Sequence, residues 1–147
     1  MGLTSLFWIS CVMGWGGWVS HWDLRCRTIP NGGLLYGFLT FGLLAILRGN
    51  GWQAMAGGGM TAGMGFLLWR FTSGFGGGDM KYWTVLGVAL GPWGAFGTLA
   101  LAAFAALSWG VLSGDWHRRG KNATLALGPW LAAASVVVAG GILLFCG

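Results

Sequence analysis

Residues 28–47, TIPNGGLLYGFLTFGLLAIL, form an unbroken apolar stretch without a charged side chain. A helix needs about 20 mostly apolar residues to cross the roughly 30 Å hydrocarbon core of a bilayer, and this stretch has that length. Residues 1–20, 49–69 and 122–147 are likewise free of charged side chains. The sequence therefore predicts a protein that crosses a membrane several times through α-helices.

The apolar stretch 82–114 is too long for one spanning helix and short for two full ones. Gly91-Pro92 divides it, because proline lacks a backbone N–H and disfavours a helical conformation in the residue before it. We therefore predict a short fourth helix at 80–90, a fifth at 92–112 and a sixth at 124–146. The predicted fold is all-α, with about six transmembrane helices.

The composition excludes several classes of protein. Of the 147 residues, 56% are hydrophobic and only 7% are charged, whereas soluble domains carry about 25% charged residues. The net charge of +5 is spread over short gaps between apolar stretches, but a nucleic-acid-binding protein gathers its cations on one exposed face. We therefore expect no soluble enzyme and no nucleic-acid partner. No segment resembles a linker, so residues 1–147 are predicted to form a single membrane domain.

The lysines and arginines predict how the helices are oriented. Arg48 stands alone between the second and third spans, whereas the other seven cations occupy the gaps after the first, third and fifth spans. They are Arg25, Arg27, Arg70, Lys81, Arg118, Arg119 and Lys121. Because short cationic loops stay in the cytoplasm, both termini are predicted to face outward in a multi-pass inner (plasma) membrane protein. The cationic loops are expected to contact anionic lipid.

Tryptophan and glycine recur at informative spacings. Seven indoles fall near predicted span ends, where an interfacial belt is expected rather than ligand stacking: Trp18, Trp22, Trp52, Trp69, Trp83, Trp109 and Trp116. Three glycine pairs have the small-xxx-small spacing that lets helices approach closely: Gly33/Gly37, Gly59/Gly63 and Gly87/Gly91. The run Gly57-Gly58-Gly59 predicts a bend or very close packing in the third span.

The chain has three acidic side chains, and two of them lie beside predicted helix ends. Asp23 occurs in HWDLRCRTIPN (21–31) and Asp79 in GFGGGDMKY (74–82). The orientation above places both on the cytoplasmic side, so they could meet in one shallow pocket. Two structural alternatives stay open: Asp79 as the N-cap of the fourth helix, and Asp23 as an exposed partner of Arg25 or Arg27. Asp115 is expected to form a solvated ion pair.

The cysteines and histidines do not form a recognisable metal or redox motif. Cys11, Cys26 and Cys146 include no C-x-x-C pair, so neither a zinc site nor a redox dithiol is expected. His21 and His117 both fall near predicted cytoplasmic ends, which disfavours a bis-histidine haem. We therefore predict a protein without a metal or a cofactor.

The two acidic segments resemble those of type IV prepilin peptidases. Asp23 followed by Ile29-Pro30-Asn31 is similar to their first active-site segment, and Gly76-Gly77-Gly78-Asp79-Met80-Lys81 is similar to their second, the G-x-G-D-x-K segment. Ala126-Leu127-Gly128-Pro129 resembles the family's entry into the last span. Presenilin-type proteases share G-x-G-D, and the Asp…Ile-Pro-Asn segment favours the prepilin peptidases. Tyr82 departs from the aliphatic residue usual after the lysine.

The resemblance implies an aspartyl endopeptidase that removes the basic leader from pilin-like precursors at the cytoplasmic membrane face. Asp23 and Asp79 would be the catalytic pair, sharing one proton. Substrate contacts are expected from Gly76, Gly77, Gly78, Pro30, Asn31 and Lys81. Because the paired C-x-x-C cysteines of longer members are missing from this sequence, it resembles the short form of Flp/Tad or archaeal-type systems, for which N-methyltransferase activity is not expected.

Other readings of these residues remain. The glycine run is equally compatible with a tight turn into the fourth helix. Lys81 could instead anchor the protein by binding lipid phosphate. From a different functional class, a small transporter or channel component could use Asp23 and Asp79 as ion ligands. That alternative predicts carboxylates nearer the middle of the membrane.

Overall fold

The computed structural model describes residues 3–26, 29–71, 76–113 and 127–146, and these residues are almost entirely α-helical. The helices are α1 (Leu3–Cys26), α2 (Asn31–Leu47), α3 (Gly51–Phe71), α4 (Gly77–Leu112) and α5 (Gly128–Cys146). The all-α prediction is thereby confirmed. Within the described segments, α4 has the apolar composition and, counted over both of the arms described below, the length to cross a membrane, and α2 is a shorter apolar helix. The number of spans and the side of the termini stay predictions.

The predicted fourth and fifth helices form one element, α4, with a sharp reversal between them. Gly91 is non-helical, with φ 72° and ψ 178°, and Pro92 follows it. In a straight helix residues 83 and 95 would lie about 18 Å apart along the axis, yet the Trp83 indole donates a hydrogen bond to the Ala95 carbonyl at 2.8 Å. The second arm (92–112) therefore folds back beside the first arm (77–90), which confirms the predicted boundary between two helices at Gly91-Pro92.

The reversal at Gly91 places both ends of α4 near one end of the bundle. Trp109 packs on Trp130, with ring centroids 6.2 Å apart, and a Cβ at Gly94 would lie 3.2 Å from Ile142. These contacts make α5 antiparallel to the second arm of α4. Consequently the start of α5 lies at the same end of the molecule as the start of α4.

The helices α3 and α4 approach at their glycines, and this is the most extensive helix pair. A Cβ on Gly57 would overlap the Gly87 carbonyl oxygen and lie 2.9 Å from the Gly91 Cα. The Thr61 hydroxyl donates to the Gly57 carbonyl at 2.7 Å. The close packing predicted for the run from Gly57 is confirmed at this crossing.

The other predicted glycine contacts have mixed outcomes. Gly33 and Gly37 approach the indoles of Trp18 and Trp15 instead of another backbone. Among the described residues, no atom lies within 4 Å of a Cβ built on Gly59 or Gly63, so the prediction of close packing at that pair is wrong. The spacing shows that two small residues lie on the same face of a helix. Whether that face meets another helix depends on how the whole bundle packs.

Most of the predicted tryptophan belt is exposed, as an interfacial position requires. Five of its members have exposed side chains: Trp18, Trp22, Trp52, Trp69 and Trp109. For Trp83 the prediction is wrong, because its indole is fully buried and bonded inside the reversal of α4. Trp116 lies outside the described residues.

Candidate active site

Asp23 and Asp79 lie at the same end of the helical bundle. Asp23 is in the last turn of α1 and lies on the same buried face of this helix as Val12 and Val19. Asp79 is in the first turn of α4. The Asp23 charge acts on the Asp79 carboxyl group, which places the two side chains within electrostatic reach of each other. The fold thus brings together two acids that are far apart in the sequence, while their catalytic role stays a prediction.

The Asp79 carboxylate is held by the backbone at the start of α4. The N-cap residue is Gly76, with φ −74° and ψ 148°, and Asp79 accepts a hydrogen bond from the Gly76 N–H. Asp79 therefore occupies the third helical position and reaches back to the cap, which is half of a capping box. This corrects the alternative in which Asp79 itself is the N-cap. A carboxylate has two acceptor oxygens, so this bond leaves Asp79 capable of further interactions.

The Asp23 carboxylate packs directly on the first residue of α5. A Cβ built on Gly128 would overlap Asp23 Oδ2 and lie 2.9 Å from its Cγ, so only glycine fits there. The N-terminus of a helix carries a partial positive charge that stabilises an ionised carboxylate. Gly128 is thus a site residue to which the sequence analysis assigned no role. The resemblance of Ala126-Leu127-Gly128-Pro129 to the family's entry into the last span was the feature that could have identified it. Ala126 lies outside the described residues.

The two motif segments contact each other directly. The Lys81 ammonium group donates a hydrogen bond to Asn31 Oδ1 at 2.9 Å, and the Ile29 side chain lies 3.5 Å from where a Gly78 Cβ would stand. Pro30 is the N-cap of α2, and its carbonyl accepts from the Gly33 N–H at 3.0 Å. Residues 29–31 therefore form a short bridge between the start of α2 and the start of α4.

The glycine run presents bare backbone beside Asp79. Gly76 and Gly77 are exposed, and a Cβ on Gly77 would stand 3.7 Å from the Trp69 indole nitrogen. The first N–H groups of any helix have no partner within that helix. Since glycine carries no side chain over these groups, an extended peptide could approach them closely.

Tyr82 forms the buried wall behind the two acids. Its side chain is fully buried, its ring centroid is 5.0 Å from that of Trp15, and its hydroxyl lies 3.3 Å from where a Gly16 Cβ would stand. The residue that departs from the family pattern therefore packs between α1 and α4. An aromatic ring fits because Gly16 leaves room for it.

Several predicted features concern residues that the structure does not describe or describes only in part. Arg27, Asp115, His117, Arg118, Arg119 and Lys121 lie outside the described residues. Arg25, Arg70 and Lys81 lie at the end of the bundle that contains Asp23, whereas Arg48 lies 4.9 Å over the Trp8 ring at the other end. Across the described segments, no group of three or more His, Cys, Asp or Glu side chains is arranged to hold a metal ion.

Comparison with known proteins gives one match. A family model described as the type IV leader peptidase family matches residues 7–111, a segment that contains both acids and the glycine run. The chain matches no curated protein and no solved structure.

Proposed function

The chain belongs to the type IV leader peptidase family, and from this premise we propose that it is a membrane aspartyl endopeptidase. The proposed reaction is hydrolysis of the bond that joins a basic leader to a type IV pilin-like precursor, without methylation of the new N-terminus. The proposed catalytic pair is Asp23 and Asp79. The observation that supports the pair is its proximity, because α1 and α4 bring both carboxyl groups to one end of the bundle within electrostatic reach.

The proposed chemistry needs only the two carboxyl groups and water. Two carboxylates that share a site do not both ionise easily, so the pair holds one proton. The ionised member takes a proton from the attacking water, and the protonated member donates to the scissile carbonyl oxygen and later to the leaving amine. The protons belong to the pair as a whole, so no single residue is assigned as the base.

The exposed backbone at Gly76 and Gly77 supports a binding role for the glycine run. We propose that the leader junction lies there as an extended strand that bonds the N–H groups of the first turn of α4, beginning with Gly77. The apolar helix of the precursor would rest in the bilayer against the outside of the bundle. This arrangement requires the site to face the cytoplasm of a multi-pass inner membrane protein, as the positions of the cations predict.

Replacing either acid by its amide tests the proposal. Asp23→Asn and Asp79→Asn should each reduce leader cleavage in isolated membranes by at least 100-fold, because general acid–base catalysis contributes about 10²- to 10⁴-fold. Asp115→Asn removes the remaining acid of the chain and serves as the matched control, with activity and abundance expected near wild type. Full cleavage by either amide variant would refute the proposal. Ion flux in liposomes that depends on both acids, without cleavage, would favour the transporter alternative instead.

A further inference from the structure

The first turn of α4 is intrinsically weak, although it carries Asp79. After the N-cap Gly76 it begins with Gly77 and Gly78, and each glycine within a helix costs up to about 1 kcal/mol relative to alanine. Such a turn frays unless other parts of the protein hold it. The direction of the Asp79 side chain depends on this turn, so whatever holds the turn also determines where the carboxylate points.

Two contacts from residues 29–31 hold this turn from outside. Ile29 packs on the bare face of Gly78, and Asn31 accepts a hydrogen bond from Lys81 at 2.9 Å. The bond joins a charged donor to a neutral amide oxygen, and it links residues 50 positions apart. It therefore connects the segment that follows Asp23 to the segment that contains Asp79.

The positions along α4 explain what this connection does. Successive residues of a helix are turned by about 100°, so Gly78 and Lys81 lie within about 60° of each other on one face. Asp79 is turned by about 200° from Lys81 about the helix axis, so it lies on the face opposite to residues 29–31. On that face it is within electrostatic reach of Asp23. A bond at Lys81 consequently opposes rotation of the first turn about its own axis.

We propose that Asn31 and Lys81 form a positioning clamp, which fixes the rotation of the first turn of α4 and so directs Asp79 toward Asp23. The inference rests on the proposed peptidase function for its catalytic consequence. It assigns both residues to each other instead of to the substrate or to lipid phosphate. The Lys81 ammonium and the Asn31 amide each have further donors beyond this bond, so substrate binding is distinguished from the clamp by kinetics: loss of a substrate contact raises KM, whereas loss of the clamp lowers kcat.

The experiment compares variants that remove the bond with one that preserves it. Asn31→Leu and Lys81→Met each remove one partner, the double variant removes both, and Asn31→Asp keeps an acceptor oxygen in place. Asn50→Ser is the control, because Asn50 is an exposed asparagine that caps the start of α3, and serine caps a helix about equally well. Hydrogen exchange of residues 80–82, whose N–H groups are the first to bond within α4, is measured on the substrate-free protein, and kcat and KM are measured on a pilin-like precursor in detergent.

The clamp predicts one combined result. Exchange should quicken roughly fivefold in Asn31→Leu and Lys81→Met, as expected for loss of a typical hydrogen bond. The kcat should fall about 10- to 100-fold with KM unchanged, since a catalytic group displaced by about 1 Å loses activity on that scale. The double variant should be no worse than either single variant. Asn31→Asp should keep both readouts near wild type, and Asn50→Ser should match wild type.

Other results would overturn the clamp. A raised KM with unchanged exchange would show that the two residues bind substrate, and quicker exchange with unchanged kcat would show that the bond does not direct Asp79. Unchanged exchange refutes the clamp whatever the activity of the chain. A wild-type protein that cleaves no leader, with quicker exchange in the variants, would refute the proposed peptidase while leaving the bond between the segments established.

Discussion

Gly128→Ala should inactivate the protein without unfolding it. The added methyl group would stand 2.9 Å from Asp23 Cγ and 3.3 Å from its Cβ, whereas non-bonded carbon atoms settle at about 3.5–4.0 Å. The carboxylate must therefore retreat by about 1 Å or turn to another rotamer. A shift of that size in a catalytic group costs on the order of 100-fold in rate.

The fold itself should tolerate the change at Gly128. The residue is the first of α5 and precedes Pro129, so alanine there gains no helix-interior advantage, but the change is confined to one helix end, and normal abundance of the variant checks that the fold is kept. Gly140→Ala adds the same methyl group to the same helix, at a position with nothing within 4 Å of the new Cβ. The pair therefore separates displacement of Asp23 from the general effect of an alanine in α5.

The assay is cleavage of a pilin-like precursor in membranes that contain equal amounts of each variant, judged by immunoblot. We expect Gly128→Ala to lose about 100-fold in rate and Gly140→Ala to match wild type. Wild-type activity in Gly128→Ala at normal abundance would show that the position of the Asp23 carboxylate against α5 is irrelevant to catalysis.

Two further predictions concern stability and are checked by thermal denaturation in detergent. Gly57→Ala should destabilise the protein by about 1–3 kcal/mol, because the atoms that its new methyl group would meet are backbone atoms of Gly87 and Gly91. Gly59→Ala is the control, since no described atom lies within 4 Å of its new Cβ. Equal melting temperatures of the two variants would contradict the close crossing. Trp83→Phe should cost about 1–3 kcal/mol, since it leaves the Ala95 carbonyl without its indole donor, and an unchanged melting temperature would show that this bond does not hold the reversal.

The positions of charged residues predicted the helices better than they predicted helix ends. The charge-free stretches 28–47 and 49–69 correspond to α2 (Asn31–Leu47) and α3 (Gly51–Phe71). The first such stretch ends at residue 20, however, whereas α1 continues to Cys26. Backbone hydrogen bonds continue a helix beyond its apolar part, and the additional turn places Asp23 on a helix instead of in a loop.

The candidate site could be predicted only where it is local in sequence. Asp23 and Asp79 each lie in a short motif with characteristic neighbours, so the sequence was sufficient to select them. The contact of Asp23 with Gly128 and the bond between Asn31 and Lys81 join distant parts of the chain. A single sequence does not show which distant residues meet, because that depends on how the complete bundle packs.

The contact between Asp23 and Gly128 also has a consequence for biosynthesis. The ribosome adds about 5–20 residues per second, so α5 follows the Asp23 segment by on the order of 5–20 seconds. In the later part of that interval, after residue 79, both acids have been made, but the helix that supports one of them does not yet exist. We therefore expect a chain that stalls before residue 128 to lack cleavage activity.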